Sequence, residues 1–161
     1  MNHLTEKLFS AARAGDTEAL AALIEKGAEV NAQDPKGFTP LIIASYNDQA
    51  EAVALLLESG ADPNLCDTGG NTALMGASFK GYSGIAQKLL ESGADIDRQH
   101  GNGGTALMFA ILFGRNEVAE LLLRYGANKE ITDNRGLKAI DLAIQQGNVE
   151  GVDVLENTEV A

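Results

Sequence analysis

Apolar positions recur along this chain at one fixed interval. Leu8, Leu41, Leu74, Leu107 and Ile140 are spaced by 33 residues, as are Ala11, Ala44, Ala77, Ala110 and Ala143, and Leu23, Leu56, Leu89, Leu122 and Leu155. Two glycine columns keep the same register: Gly37, Gly70, Gly103 and Gly136, and Gly27, Gly60, Gly93 and Gly126, the latter each followed by alanine. A period of about 20–50 residues marks a repeat array, in which stacked neighbours bury what no single unit can bury alone.

Within each period the polar positions punctuate the apolar ones. Thr39-Pro40-Leu41, Thr72-Ala73-Leu74 and Thr105-Ala106-Leu107 open short apolar segments, with threonine suited to an N-cap and proline to a first helical residue. A tight turn at Asp48, Gly81 or Gly114 then separates a first helix from a second that closes on Gly-Ala. Asp34-Pro35-Lys36-Gly37, Asp67-Thr68-Gly69-Gly70 and Asp133-Asn134-Arg135-Gly136 supply turn chemistry between units.

A repeated Gly-x-Thr-Pro/Ala-Leu with Gly-Ala at a fixed offset resembles the ankyrin repeat, over residues 5 to 156. The resemblance implies an all-α solenoid of helix-turn-helix units joined by hairpin loops. The register divides residues 1–161 into repeats 5–37, 38–70, 71–103 and 104–136 with a partial, capping fifth at 137–161, all in a single domain. Ile42, Met75, Met108 and Asp141 stand where the family pattern has histidine, so the hydrogen bonds of that histidine to neighbouring turns are expected to be missing. Ala-Leu-Met in that place is similar to small ankyrin proteins of bacteria.

The ends depart from the pattern as end units should. The column Ile24, Leu57, Leu90, Leu123 ends in Glu156, and a polar outer face is what a last repeat needs. Thr5-Glu6-Lys7 replaces the Thr-Pro-Leu opening at the other end. A loose N-terminus around His3 and a frayed tail at 157–161 are expected.

Composition narrows the partners. Twelve Lys and Arg against twenty-three Asp and Glu give a net charge of −11, which repels phosphate backbones and anionic lipid, so neither nucleic acid nor a membrane is expected as partner. The same field favours a partner with a basic surface. One cysteine, Cys66, forms no internal disulfide, and no apolar leader or membrane-spanning stretch is evident, so a cytoplasmic location is expected.

Catalytic chemistry is not encoded in any convergent set. His3 and His100 lie far apart in the register, and His100 reads as a turn-tip residue with local hydrogen bonds. Asp34, Asp67 and Asp133 read as Asx turns, one repeat apart, and Cys66 as a passive loop thiol. Gly101-Asn102-Gly103-Gly104 follows no strand, so it reads as a mobile tip and not a phosphate loop. No catalytic, metal or cofactor residue is assigned, and no cofactor or small-molecule substrate is expected.

One strip of positions asks for more. The resemblance places the residues before the inter-helix turn on the concave side, and here they include Tyr46, Asn47, Phe79, Lys80, Leu112 and Phe113. The turn tips add Lys36, Phe38, Asn71, Asn102 and Arg135. Tyr46, Phe79 and Phe113 are three of only eight aromatic residues in the chain, so the strip reads as a binding surface whose side chains stand free of the helix-pair core. The expected function is non-enzymatic binding of one partner protein through this groove. The resemblance to small bacterial ankyrin proteins adds one alternative, an accessory, inhibitory or immunity protein for an enzyme such as a catalase or for a toxin, and the same apolar strip allows another, a self-assembling structural protein.

Overall fold

The computed structural model describes residues 2–159, and all the regular elements among them are helices. They come in pairs: α1 (His3–Ala14) with α2 (Thr17–Glu25), α3 (Pro40–Tyr46) with α4 (Ala50–Glu58), α5 (Ala73–Lys80) with α6 (Ser83–Glu91), α7 (Ala106–Leu112) with α8 (Asn116–Arg124), and α9 (Ala139–Gln145) with α10 (Val149–Asn157). Each first helix packs on the next first helix, and each second helix on the next second helix, so the chain is an all-helical stack of repeats.

Local chemistry starts and stops these helices where the punctuation predicts. Thr39, Thr72 and Thr105 hydroxyls accept the backbone N–H of Ile42, Met75 and Met108 at 3.1, 3.3 and 3.3 Å, each satisfying an orphan donor of the first turn. Lys138 occupies that place in the last repeat, and the cap is reversed: the Asp141 carboxylate accepts the Lys138 backbone N–H at 2.8 Å. Asp48, at φ 58°, is the one non-glycine residue with positive φ among the described residues, in a column otherwise held by Gly15, Gly81, Gly114 and Gly147.

The predicted columns form the core, with Leu23 and Ile140 at the ends of theirs only partly buried. Leu41, Leu74 and Leu107, Ala44, Ala77 and Ala110, and Leu56, Leu89 and Leu122 are all buried. Hydrogen bonds cross from repeat to repeat even without the family histidine. Gln49 donates to Arg13 O, Arg115 to Phe79 O and Asn148 to Ile111 O, at 3.0, 3.0 and 3.1 Å. At the tips, Thr68 N–H donates to Lys36 O, Gly101 N–H to Gly69 O and Asn134 N–H to Asn102 O at 2.9–3.0 Å, which ties neighbouring hairpins by their backbones.

Several expectations are corrected. The Gly101–Gly104 tip, expected as a loose loop, is tethered at its base: Gly103 and Gly104 are buried and His100 N–H donates to Gly104 O at 2.9 Å, while Gly101 and Asn102 stay exposed. The His100 backbone makes the local turn hydrogen bonds expected of it, Gly103 N–H donating to His100 O at 2.8 Å, while its ring packs on Phe109 with centroids 4.9 Å apart. The first helix begins at His3, capped by Asn2, whose side chain accepts Thr5 N–H at 2.9 Å, so Thr5 lies inside the helix and does not open it. The tail is helical through Asn157, and residues 160–161 of the expected frayed segment lie outside the described residues. The C-terminal cap presents Glu156 to solvent as expected, but it also exposes Ile144 at 64% and Val149 at 80%. Ser45, Ser78 and Ile111, one to three repeats earlier in the Ile144 column, are fully buried, because a following repeat covers them.

Candidate binding groove

The groove is built where the first helices end. Tyr46 closes α3, Phe79 lies one residue short of the end of α5, and Phe113 is the C-cap of α7. The stack brings them into one line: Tyr46 and Phe79 stack at 6.2 Å with 11° between planes, and Phe79 meets Phe113 edge-on at 4.5 Å and 71°. Both geometries are favoured by the ring quadrupoles. The Lys80 ammonium lies 4.8 Å from the centroid of the Tyr46 ring, within cation–π range.

The strip is only partly free of the core. Tyr46 and Phe113 are each 45% exposed, but Phe79 and Leu112 are half-buried, so the expectation that all of these side chains stand clear is corrected. Neighbours one repeat away on either side close over Phe79.

Two hollows open along the strip. The first, about 570 Å³, has Ile42, Ile43, Met75 and Gly76 in its lining together with Phe38, Tyr46, Asn47, Asn71 and Phe79. The second, about 470 Å³, includes Asn102, Leu112, Phe113 and Arg135 beside His100 and Met108. Phe109 lines both. Of the predicted residues, Lys36 and Lys80 line neither hollow. Lys36 sits exposed at its turn tip.

Sequence reasoning missed Gly76. It stands in the column Ser10, Ile43, Gly76, Phe109, Leu142, and its missing side chain helps to make the first hollow between large neighbours. A glycine inside a helix costs about 0.5–1 kcal/mol relative to alanine. That cost was the available signal.

Glu18, Glu51 and Glu58 line a shallow acidic depression between second helices, and no glutamate lines either hollow. The aspartates on the groove edge are engaged. The Asp34 carboxylate accepts the N–H of Lys36 and Phe38, Asp67 those of Gly69 and Asn71, and Asp133 those of Arg135 and Leu137. These are the Asx turns expected, with His100 the exception. Asp133 also pairs with the Arg135 guanidinium at 2.8 Å. Burial pushes its carboxyl up, and the hydrogen bonds from Arg135 and Leu137 outweigh that and hold it below its ordinary range.

No three His, Cys, Asp or Glu side chains among the described residues are placed to share a metal ion. Cys66 is half-buried, with its Sγ 3.6 Å from the Arg98 guanidinium. No helix among the described residues is long and apolar enough to cross a membrane.

Comparison with family models then decides the affiliation. A model described as ankyrin repeats in three copies matches residues 8–100, more than half of the chain, and one for ankyrin repeats in many copies matches residues 89–143. The chain belongs to the ankyrin-repeat family. A search among curated proteins finds no match. Ankyrin repeats generally mediate protein–protein interaction and are generally non-enzymatic modules.

Proposed function

We propose that this ankyrin-repeat chain is a non-enzymatic module that holds one partner protein in its concave groove, with no small molecule or nucleic acid as ligand. The observation that carries this reading is the continuous Tyr46–Phe79–Phe113 line, whose two end rings are each 45% exposed. Aromatic anchors of this kind dominate interface energetics when desolvated. Tyr46, Phe79, Leu112 and Phe113 provide the apolar contact. Lys36, Phe38, Asn47, Asn71, Lys80, Asn102 and Arg135 form the surrounding rim. The net charge of −11 favours a basic partner surface during long-range approach, and the lone cysteine favours a cytoplasmic setting.

The test is affinity capture from the source lysate with the wild-type chain and with Tyr46→Ala/Phe113→Ala. One protein retained by the wild type and lost with the double variant is the expected result. Equal retention by both removes the groove from the reading.

Self-association is a second reading, favoured by Ile144 and Val149 exposed at the open end of the stack. Light scattering separates the two: a dimer that dissociates on Ile144→Asp belongs to this end face, and a monomer at high concentration removes the reading.

A further inference from the structure

The groove lining is more selective than a general apolar surface. Along the column that faces the first hollow, Ile43 and Phe109 flank Gly76, and Tyr46, Met75 and Phe79 line the same hollow. An added Cβ at Gly76 would meet only Tyr46 Cδ2, at 3.5 Å, an ordinary contact. Neither backbone conformation nor crowding therefore requires glycine there, although glycine weakens a helix relative to alanine. What the glycine does is keep space open in an apolar wall.

The polar rim of this hollow is equally one-sided. Arg13 lines it, and the Lys80 ammonium stands over Tyr46. Among the described residues neither has a carboxylate within 4.0 Å, unlike Arg124, Arg135 and Lys138. The one acid in the lining, Asp67, has both oxygens taken, by the N–H groups of Gly69 and Asn71 and by the Asn71 side chain. The unmet demand at this rim is thus for hydrogen-bond acceptors with negative charge.

Building on the groove reading above, we infer that the Gly76 notch receives one bulky apolar or aromatic side chain from an acidic segment of the partner protein, with Arg13 engaging a carboxylate beside it. The chain's overall negative charge does not forbid this, because screening limits the reach of exposed charge to about 8–10 Å at ordinary salt. The local rim decides what seats in the hollow.

Selection of short random peptides displayed on phage tests this, with the intact chain as bait and Gly76→Leu, Gly76→Ala, Arg13→Glu and Tyr46→Ala/Phe113→Ala as comparison baits. Enrichment of an aromatic or large aliphatic residue next to Asp or Glu is expected. Those peptides should bind Gly76→Leu and Arg13→Glu about tenfold more weakly or worse. Gly76→Ala, which leaves most of the hollow, should bind nearly as the wild type, and unchanged thermal melting of Gly76→Leu establishes that the fold is intact. Basic consensus peptides, or acidic ones indifferent to Gly76→Leu, overturn the inference. If such peptides still fail on Tyr46→Ala/Phe113→Ala, the groove reading survives that result. If they bind this bait as well, both readings fall.

Discussion

The edge of one aromatic ring meets the face of another across a repeat boundary: Phe79 and Phe113 lie 4.5 Å apart at 71°. They come from adjacent columns of the register, Phe79 from that of Tyr46 and Phe113 from that of Lys80. The contact therefore joins α5 to the end of α7 and gives the two rings different tasks.

Phe79→Ala should lower stability, by about 2 kcal/mol, since it removes a half-buried ring and two aromatic contacts. Phe113→Ala should cost about 1 kcal/mol or less, because nearly half of the residue is already in solvent and it loses one aromatic contact. Urea denaturation of both variants at equal m-value reads the difference. Equal losses would show that Phe113 is as structural as Phe79, which would leave Tyr46 as the only free anchor of the strip.

Asp48 offers a stabilising change. Its φ of 58° is left-handed, a region that disfavours side chains, and four equivalent turns use glycine. Asp48→Gly should raise stability by about 0.5–1 kcal/mol, the relief of strain being partly offset by the freer unfolded chain. The denaturation midpoint should rise with no change in slope. A fall would mean that the aspartate side chain contributes more than its backbone strain removes.

Asp133 makes the last hairpin tip acid-sensitive. Its folded carboxyl is held below the ordinary value by Arg135 and Leu137 despite the opposing effect of burial. A depressed carboxyl stabilises fully above its unfolded pKa, about 4, and that contribution is lost as pH falls through the lower folded value. At pH 7, Asp133→Asn should melt below the wild type, while keeping an oxygen to accept the backbone N–H groups. The gap should close on acidification below about pH 4. A gap that is constant from neutral to acid pH would assign the effect to shape and not to charge.

How much of this was legible in the chain depends on the range of the interaction concerned. Threonine at 39, 72 and 105 predicts the caps because the bond it makes spans three residues. Glycine at 37, 70, 103 and 136 predicts positive φ because the demand is intraresidue. The leucine and alanine columns predict the core because the repeat places identical surroundings around each member. The aromatic strip follows from the register together with the family resemblance, which places the residues before the inter-helix turn on the concave side.

The hollow was not legible. Gly76 reads as one glycine among eighteen until Ile43 and Phe109, thirty-three residues away on either side, are set beside it. The half-burial of Phe79 likewise depends on Tyr46 and Phe113 closing from neighbouring repeats. His100 takes the hydrogen-bonded turn that its column predicts, and only the stack decides that its ring packs against Phe109. The sequence by itself determined the periodic skeleton, since caps, turns and core columns act over one repeat. Only the tertiary stack decided which side chains are shared between repeats and where space is left open, because those depend on contacts between side chains a full period apart.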